Sequence, residues 1–260
     1  MKGRTALITG STGGIGFVTA KALAEAGCKI MLNGLADGGQ ASERVAELER
    51  DYGVSAAFDG ANLRDPKAID ALVLSTVERF GSIDILVNNA AVRHFGPIEE
   101  FKTEDWQDSI DVNLSAPFYA TRAALPFMRQ QNWGRIINMA SALSFFAQAD
   151  RADYITTKTG LVGLTRAVAL EVAKTEITCN AVCPGTVLTD PINARVDALM
   201  AKENLSREAA VAKFMQGRSP SGRFIKQESV ASLIVYLCGP SSGDINGASL
   251  AVDGAWVAGR

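Results

Sequence analysis

The residues with the clearest capacity for chemistry lie in NMASALSFFAQADRADYITTK, from Asn138 to Lys158. Tyr154 and Lys158 stand four apart in a proline-free stretch of good helix formers, so one helical turn stacks them on a single face. A phenol with its ordinary pKa of ~10 is a poor base at neutral pH. An ammonium one turn away favours the phenolate and lowers that value. Ser141 closes the apolar run RIINMAS thirteen residues before Tyr154, and its hydroxyl can hold a substrate oxygen beside the phenol. Together these groups form a proton-transfer device for an alcohol or a ketone. A Y-x-x-x-K pair alone also describes an ordinary surface helix, so the elements around it must decide.

The first of those elements is a strand over residues 4–9, RTALIT, followed at once by Gly10-Ser11-Thr12-Gly13-Gly14-Ile15-Gly16 and a helix-forming stretch closed by Gly27. Glycines at a strand-to-helix turn let the backbone approach a pyrophosphate, whose charge then sits at the helix N-terminus. The spacing is G-x-x-x-G-x-G, and a purely structural turn is the alternative. A second strand, CKIMLNG, ends at Asn33-Gly34-Leu35, where the adenosine ribose is read in such folds. With no arginine there for a 2′-phosphate, NAD is expected rather than NADP, with Asn33 at the ribose.

Further on, the sequence predicts a helix over 40–52 and a strand over 54–58. The turn that follows, Asp59-Gly60-Ala61-Asn62-Leu63, falls where a doubly wound sheet meets the adenine. A helix over 66–80 leads into IDILVNNAA, a continuous apolar strand of the kind buried on both faces of a parallel sheet. It ends at Asn88-Asn89-Ala90, at the carboxyl end where open α/β sheets bind ligands. Residues 104–130 read as one long helix interrupted near Asn113 and Pro117, a kink with a freed carbonyl unless Asn113 is simply solvated. After the strand ITCNAVCPG comes Pro184-Gly185-Thr186-Val187-Leu188-Thr189, and residues 190–223 hold two short helical stretches. That insertion reads as a mobile substrate lid over the crevice, or else as an ordinary packed hairpin. A helix, ESVASLIVYLCG, and a strand, ASLAVDGAW, finish the chain. About seven strands alternating with helices predict a single-domain α/β fold, a doubly wound parallel sheet with helices on both faces.

Composition bounds the partners. The 260 residues are 47% hydrophobic and 21% charged, enough for a sizeable core. A net charge of −2 offers no basic field, so neither nucleic acid nor an anionic membrane is expected as a partner. No apolar run approaches the ~20 residues of a membrane helix, and no charged-then-apolar leader follows Met1-Lys2. Four cysteines are too few for a disulfide framework, which points to the cytoplasm. Cys179 and Cys183 read as small buried thiols rather than metal ligands, the single histidine, His94, being remote in sequence, and no metal is expected.

TGSTGGIG, NNAA at 88–91, Asn113, Ser141, Tyr154-x-x-x-Lys158 and PGTVLT at 184–189 together resemble the short-chain dehydrogenases/reductases, over essentially the whole chain and in the same order. Within that family, GSTGGIG, IMLNG, FDGANL, NLSAPF, WGRIINMAS and VDGAW are similar to the bacterial D-3-hydroxybutyrate dehydrogenase branch. The resemblance implies a Rossmann-type fold, with Tyr154 as general acid/base and Lys158 lowering its pKa while holding the nicotinamide ribose. It implies that Ser141 fixes the substrate oxygen, that Asn113 places a water in the proton relay, and that Val187 and Thr189 lie near the carboxamide. It also implies a homotetramer built through residues 104–130, 155–172 and the C-terminal strand.

The chain departs from that branch at several places. The usual NNAG is NNAA, which puts a methyl at Ala91, and Asn62 stands where an acid usually meets the adenine. At substrate positions Arg93 replaces a glutamine, Leu143 a histidine, Arg151 a lysine, Thr186 a tryptophan and Arg195, by a less certain match, a glutamine. Drift on a solvated rim is one reading of these changes. The other is that Arg93, Arg151 and Arg195 converge on an anion through their paired donors, which predicts a small anionic hydroxy or keto substrate, with 3-hydroxybutyrate and a larger or more highly charged hydroxy anion both open. A 3-oxoacyl-thioester reductase, a polyol dehydrogenase and a non-catalytic dinucleotide sensor are the competing readings.

Overall fold

A computed structural model describes residues 1–35 and 38–260. Seven parallel strands form one sheet in the order β3-β2-β1-β4-β5-β6-β7. They are β1 Thr5–Ile8, β2 Lys29–Asn33, β3 Ala56–Asp59, β4 Ile85–Asn88, β5 Gly134–Met139, β6 Ile177–Pro184 and β7 Ser249–Val252. Parallel pairing needs crossovers, and helices supply them: α1 Gly14–Glu25, α2 Gly38–Tyr52, α3 Pro66–Phe80, α4 Thr103–Ile110, α5 Ala116–Gln130, α6 Ala152–Val172, α7 Asp190–Glu203, α8 Arg207–Met215 and α9 Gln227–Cys238.

Every residue of β1, β4, β5 and β6 is buried, because both faces of the sheet are covered. Successive side chains then divide between two cores. Ala6, Ile8, Ile85 and Val87 pack with Phe17 and Leu23 of α1 and Val230 and Ile234 of α9. Leu7, Leu86 and Ile136 point the other way, onto Leu72 of α3, Ala120 of α5 and Val172 of α6. The period-two alternation of strands that look uniformly apolar is what joins the two helical layers through one sheet.

Local sequence sets several element ends. Asp65 caps α3 by accepting from the Lys67 N–H at 2.9 Å, Pro66 opens the helix, and Gly81 closes it in the left-handed region at φ 86°. The interruption expected near Asn113 is a π-helical turn, Asp111–Ser115, that joins α4 to α5. The expected strand at 83–91 stops at Asn88, because Asn89 and Ala90 leave the sheet to bond Thr9 and Gly10.

The strand order turns back between β1 and β4, and the crevice lies at the carboxyl ends of the strands there. Helices α7 and α8 stand over that end. Asn204 ends α7 at φ 51°, and Ser206 caps α8. A bridge between Val187 and Ile225, with the Gln227 amide donating to the Leu188 carbonyl at 2.8 Å, anchors the base of this insertion. Among the described residues no helix is long and apolar enough to cross a membrane. All four cysteines are free and buried, and burial pushes the Cys179 and Cys183 thiols up to about 12. No group of metal-ligating side chains occurs among the described residues.

Candidate active site

Strand β5 ends at Met139, and its continuation carries Ser141 into the crevice. Helix α6 runs antiparallel above it, with Tyr154 and Lys158 one turn apart on the buried face. The Lys158 ammonium, 2% exposed, donates to the Met139 carbonyl at 2.6 Å, so the strand end fixes its height. Burial holds its pKa below the ordinary lysine value. Ser144 links the two elements: its hydroxyl accepts from the Ser141 N–H at 3.3 Å and donates to the Lys158 carbonyl at 3.0 Å. The Ser141 hydroxyl accepts from the Leu143 N–H at 3.1 Å and caps a short 3₁₀ turn.

Tyr154 is 5% exposed. Burial alone raises a phenol's pKa, but the Arg93 guanidinium, Lys158, the Ser141 hydroxyl and Arg151 outweigh it and bring the group down to about 8. The phenolate is therefore accessible near neutral pH, as a general base for an alcohol requires.

The glycine turn is shaped to receive a dinucleotide. A Cβ on Gly16 would strike the Gly10 carbonyl and the Asn89 amide nitrogen, the latter at 2.6 Å. One on Gly10, at φ 60°, would meet the Ala90 Cα at 2.7 Å. Gly13 faces open space, and Gly14 meets only the Thr189 methyl, at 4.0 Å. The turn is thus tight against the protein at Gly10 and Gly16 and open at Gly13 and Gly14, where α1 begins and its N-terminus favours a diphosphate. Asn89 clamps the turn by donating to the Thr9 and Gly10 carbonyls at 3.0 and 2.8 Å. Thr12 lies against Gly34 at the end of β2. Ile15, Asn89, Pro184, Gly185, Val187 and Thr189 line one crevice with Tyr154 and Lys158, so the end of the glycine turn and the tyrosine open onto the same space.

Three of the expected site residues have side chains held by the protein itself, and for Asn33 this corrects the expectation. Asn33 is fully buried and donates to the Asp59 and Ala61 carbonyls at 3.0 Å, so it braces β2 against the end of β3 rather than facing a ribose. Asn62 is exposed, but its carbonyl oxygen accepts from the Arg64 N–H at 3.2 Å and forms the turn that leads to α3; Leu63 beside it packs on the second core. Asn113 is also fully buried: its side chain accepts from the Val92 N–H at 2.8 Å and donates to the Val92 carbonyl at 3.0 Å. Its side chain thus pins the loop that carries Arg93 and is not solvated, and the π turn around it is the interruption at which a freed carbonyl is expected.

The substrate end is brought together as expected. Arg93, Leu143, Arg151, Thr186 and Arg195 all line the same crevice as Ser141 and Tyr154; Leu143 and Thr186 are buried, Arg151 is half-buried, and Arg93 and Arg195 stand exposed at its mouth. Leu143 packs with Trp256 and Tyr154 to form an apolar wall. Sequence reasoning missed Phe95, Trp256 and Arg218, which also line the pocket. They come from a loop, the C-terminal segment and the end of the insertion, and no spacing rule connects them.

The arginines alternate with aromatic rings. Arg93 lies 5.2 Å and Arg151 4.8 Å from the Tyr154 ring centre; Arg151 and Arg195 lie 4.4 and 5.2 Å from Phe95; Arg195 and Arg218 lie 5.4 and 4.4 Å from Phe214. Such contacts are worth roughly 0.5–2 kcal/mol each. None of the four guanidiniums forms an ion pair with a described residue, and the buried Arg151 Nε has no hydrogen-bond partner.

These features are those of the short-chain dehydrogenases/reductases, and the chain belongs to that family: the family description, short chain dehydrogenase, matches residues 4–199. It is an oxidoreductase of the alcohol dehydrogenase/reductase kind. Among its relatives is D-beta-hydroxybutyrate dehydrogenase of Cupriavidus necator, 40% identical over 99% of both chains. Another is 3-oxoacyl-[acyl-carrier-protein] reductase of Vibrio cholerae, 33% identical over 98% of this chain and 97% of that one. The crystal structure of L-sorbose reductase from Gluconobacter frateurii, complexed with NADPH and L-sorbose, superposes with a TM-score of 0.94 at 29% identity, covering 99% of this chain and 97% of that one.

Proposed function

We propose that the enzyme interconverts a small anionic secondary hydroxy acid and its keto form, with NAD as cofactor, in the manner of a 3-hydroxybutyrate dehydrogenase. The observation that carries this reading is the placement of unpaired guanidiniums around the one tyrosine whose phenol is tuned toward neutrality. A reductase of uncharged ketones has no use for that charge, which must be desolvated in part to line the pocket.

In the proposed reaction, Ser141 donates to the substrate oxygen and holds it beside Tyr154. Tyr154 takes the hydroxyl proton as the alcohol is oxidised, or returns it as the ketone is reduced. Lys158 keeps the phenolate accessible and, held at its height by the Met139 carbonyl, is the residue that would hold the nicotinamide ribose. When bound, the dinucleotide supplies the hydride acceptor, with Val187 and Thr189 at its carboxamide. Arg93 and Arg151 neutralise the substrate's acid group and orient the reacting carbon. Asn113 acts by positioning, through its hold on Val92. NAD is preferred to NADP in this reading because Asn33-Gly34-Leu35 offers no positive charge to a 2′-phosphate. The buried free thiols fit a cytoplasmic setting.

The test is reduced-nicotinamide absorbance with NAD and NADP against D-3-hydroxybutyrate, hydroxy dicarboxylates, hydroxy sulfonates and an uncharged secondary alcohol. NAD-linked turnover of hydroxy anions, lost by at least ~100-fold in Tyr154→Phe, is expected. Turnover of the uncharged alcohol alone would sink the proposal.

A further inference from the structure

The site holds more positive charge than one acid group needs. A single carboxylate is satisfied by the paired donors of one guanidinium, or shared between two. Arg93 and Arg151 already flank the Tyr154 ring, at 5.2 and 4.8 Å. Arg195 of α7 and Arg218, just beyond α8, form a second pair on the Phe214 ring, at 5.4 and 4.4 Å. Both line the crevice, and neither has an acidic partner among the described residues. Two of the insertion's acidic side chains are paired elsewhere, Asp197 with Arg207 and Glu203 with Lys213, and the other two, Asp190 and Glu208, form no ion pair with either arginine. Phe95 contacts one member of each pair, Arg151 at 4.4 Å and Arg195 at 5.2 Å. We take Arg93 and Arg151, on the Tyr154 ring, as one centre of positive charge and Arg195 and Arg218, on the Phe214 ring under the insertion, as a second.

We infer that the substrate is a dianion, a hydroxy or keto acid with a second acidic group that Arg195 and Arg218 bind beneath α7 and α8. This deepens the anionic-substrate reading and rests on it. Closing the second centre also bridges the two helices of the insertion through one ligand, so Arg218 acts as a specificity-determining residue rather than one that touches the reacting atoms. The second group is defined by its charge: carboxylate, sulfonate and phosphate share the chemistry a guanidinium fork recognises.

The experiment compares wild type with Arg218→Gln and Arg218→Lys, on D-3-hydroxybutyrate and on hydroxy acids of four or five carbons whose far end is a carboxylate, a sulfonate or a phosphate. In wild type at least one dianion is expected to have kcat/KM at least 10-fold above D-3-hydroxybutyrate. Arg218→Gln should raise KM for that dianion roughly 10- to 100-fold, the range for a lost charge-assisted contact. It should leave kcat, the KM for NAD and the KM for D-3-hydroxybutyrate within about 2-fold. Arg218→Lys, which keeps the charge without the fork, should fall between the two. Calorimetric titration of glutarate, a dianion with no hydroxyl to oxidise, should show the same loss of affinity without depending on turnover. A preference for D-3-hydroxybutyrate over every dianion, or an equal effect of Arg218→Gln on both classes, overturns the second centre and leaves the single-anion reading standing. Turnover confined to the uncharged alcohol overturns both.

Discussion

At the scale of single residues, the informative quantity is the balance of charge around Tyr154. Lys158 is the partner that sequence spacing supplies, yet Arg93 contributes more to lowering the phenol's pKa, after burial has raised it. Removing Arg93 removes a positive neighbour, so the Tyr154 pKa rises from about 8 toward that of an ordinary phenol. Oxidation needs the phenolate, so its rate increases with pH through that pKa. In Arg93→Gln the inflection in kcat/KM for alcohol oxidation should therefore move to higher pH, and the rate at neutral pH should fall. A pH profile of wild type and variant checks this, and an unmoved inflection would assign Arg93 to substrate binding alone. The Tyr154–Lys158 pair was legible in the sequence because i, i+4 spacing on a helix dictates proximity. Arg93 near Tyr154 was legible only by resemblance, since sixty-one residues separate them.

At the scale of elements, the strand-to-helix turn works because two glycines leave room for backbone, and the space at two others stays open. Gly16→Ala forces a methyl against the Gly10 carbonyl and the Asn89 amide that clamps the turn. We expect dinucleotide affinity to fall at least ~10-fold and the fold to lose roughly 1–3 kcal/mol. Dinucleotide titration followed by fluorescence, together with thermal unfolding, measures both; unchanged affinity would show that the turn does not hold the cofactor. The π turn at Asp111–Ser115 carries a different lesson. Asn113 and Pro117 announced an interruption, but not that the Asn113 amide would be consumed by Val92, because the partner comes from a loop after β4. The same physics misled at Asn33, where position at a strand end suggested a ligand contact and burial against β3 decided otherwise.

For the whole molecule, the open question is assembly. Leu170 on α6 is 80% exposed and Phe118 on α5 is 47% exposed, apolar side chains on the two long helices that the family resemblance assigns to subunit contacts. We propose a homotetramer built on those helices. Leu170→Glu combined with Phe118→Asp should shift the mass in sedimentation velocity to dimer or monomer while Tyr154 keeps its environment. A monomeric wild type at micromolar concentration would refute the assembly.

Sequence alone determined what depends on local or strictly periodic physics. The seven strands, the crossover helices, the glycine turn and the Ser141-Tyr154-Lys158 set follow from alternation, capping and helical spacing, which a chain carries in short windows. Tertiary structure alone decided which distant side chains share a volume. Phe95, Trp256 and Arg218 enter the crevice from three separate connections, and the second pair of guanidiniums exists only because α7 and α8 fold back over the strand ends. Charge that reads as an ordinary solvated surface along the chain is brought, by the fold, to one wall with no ion pair among the described residues, which is the observation our anion proposal rests on.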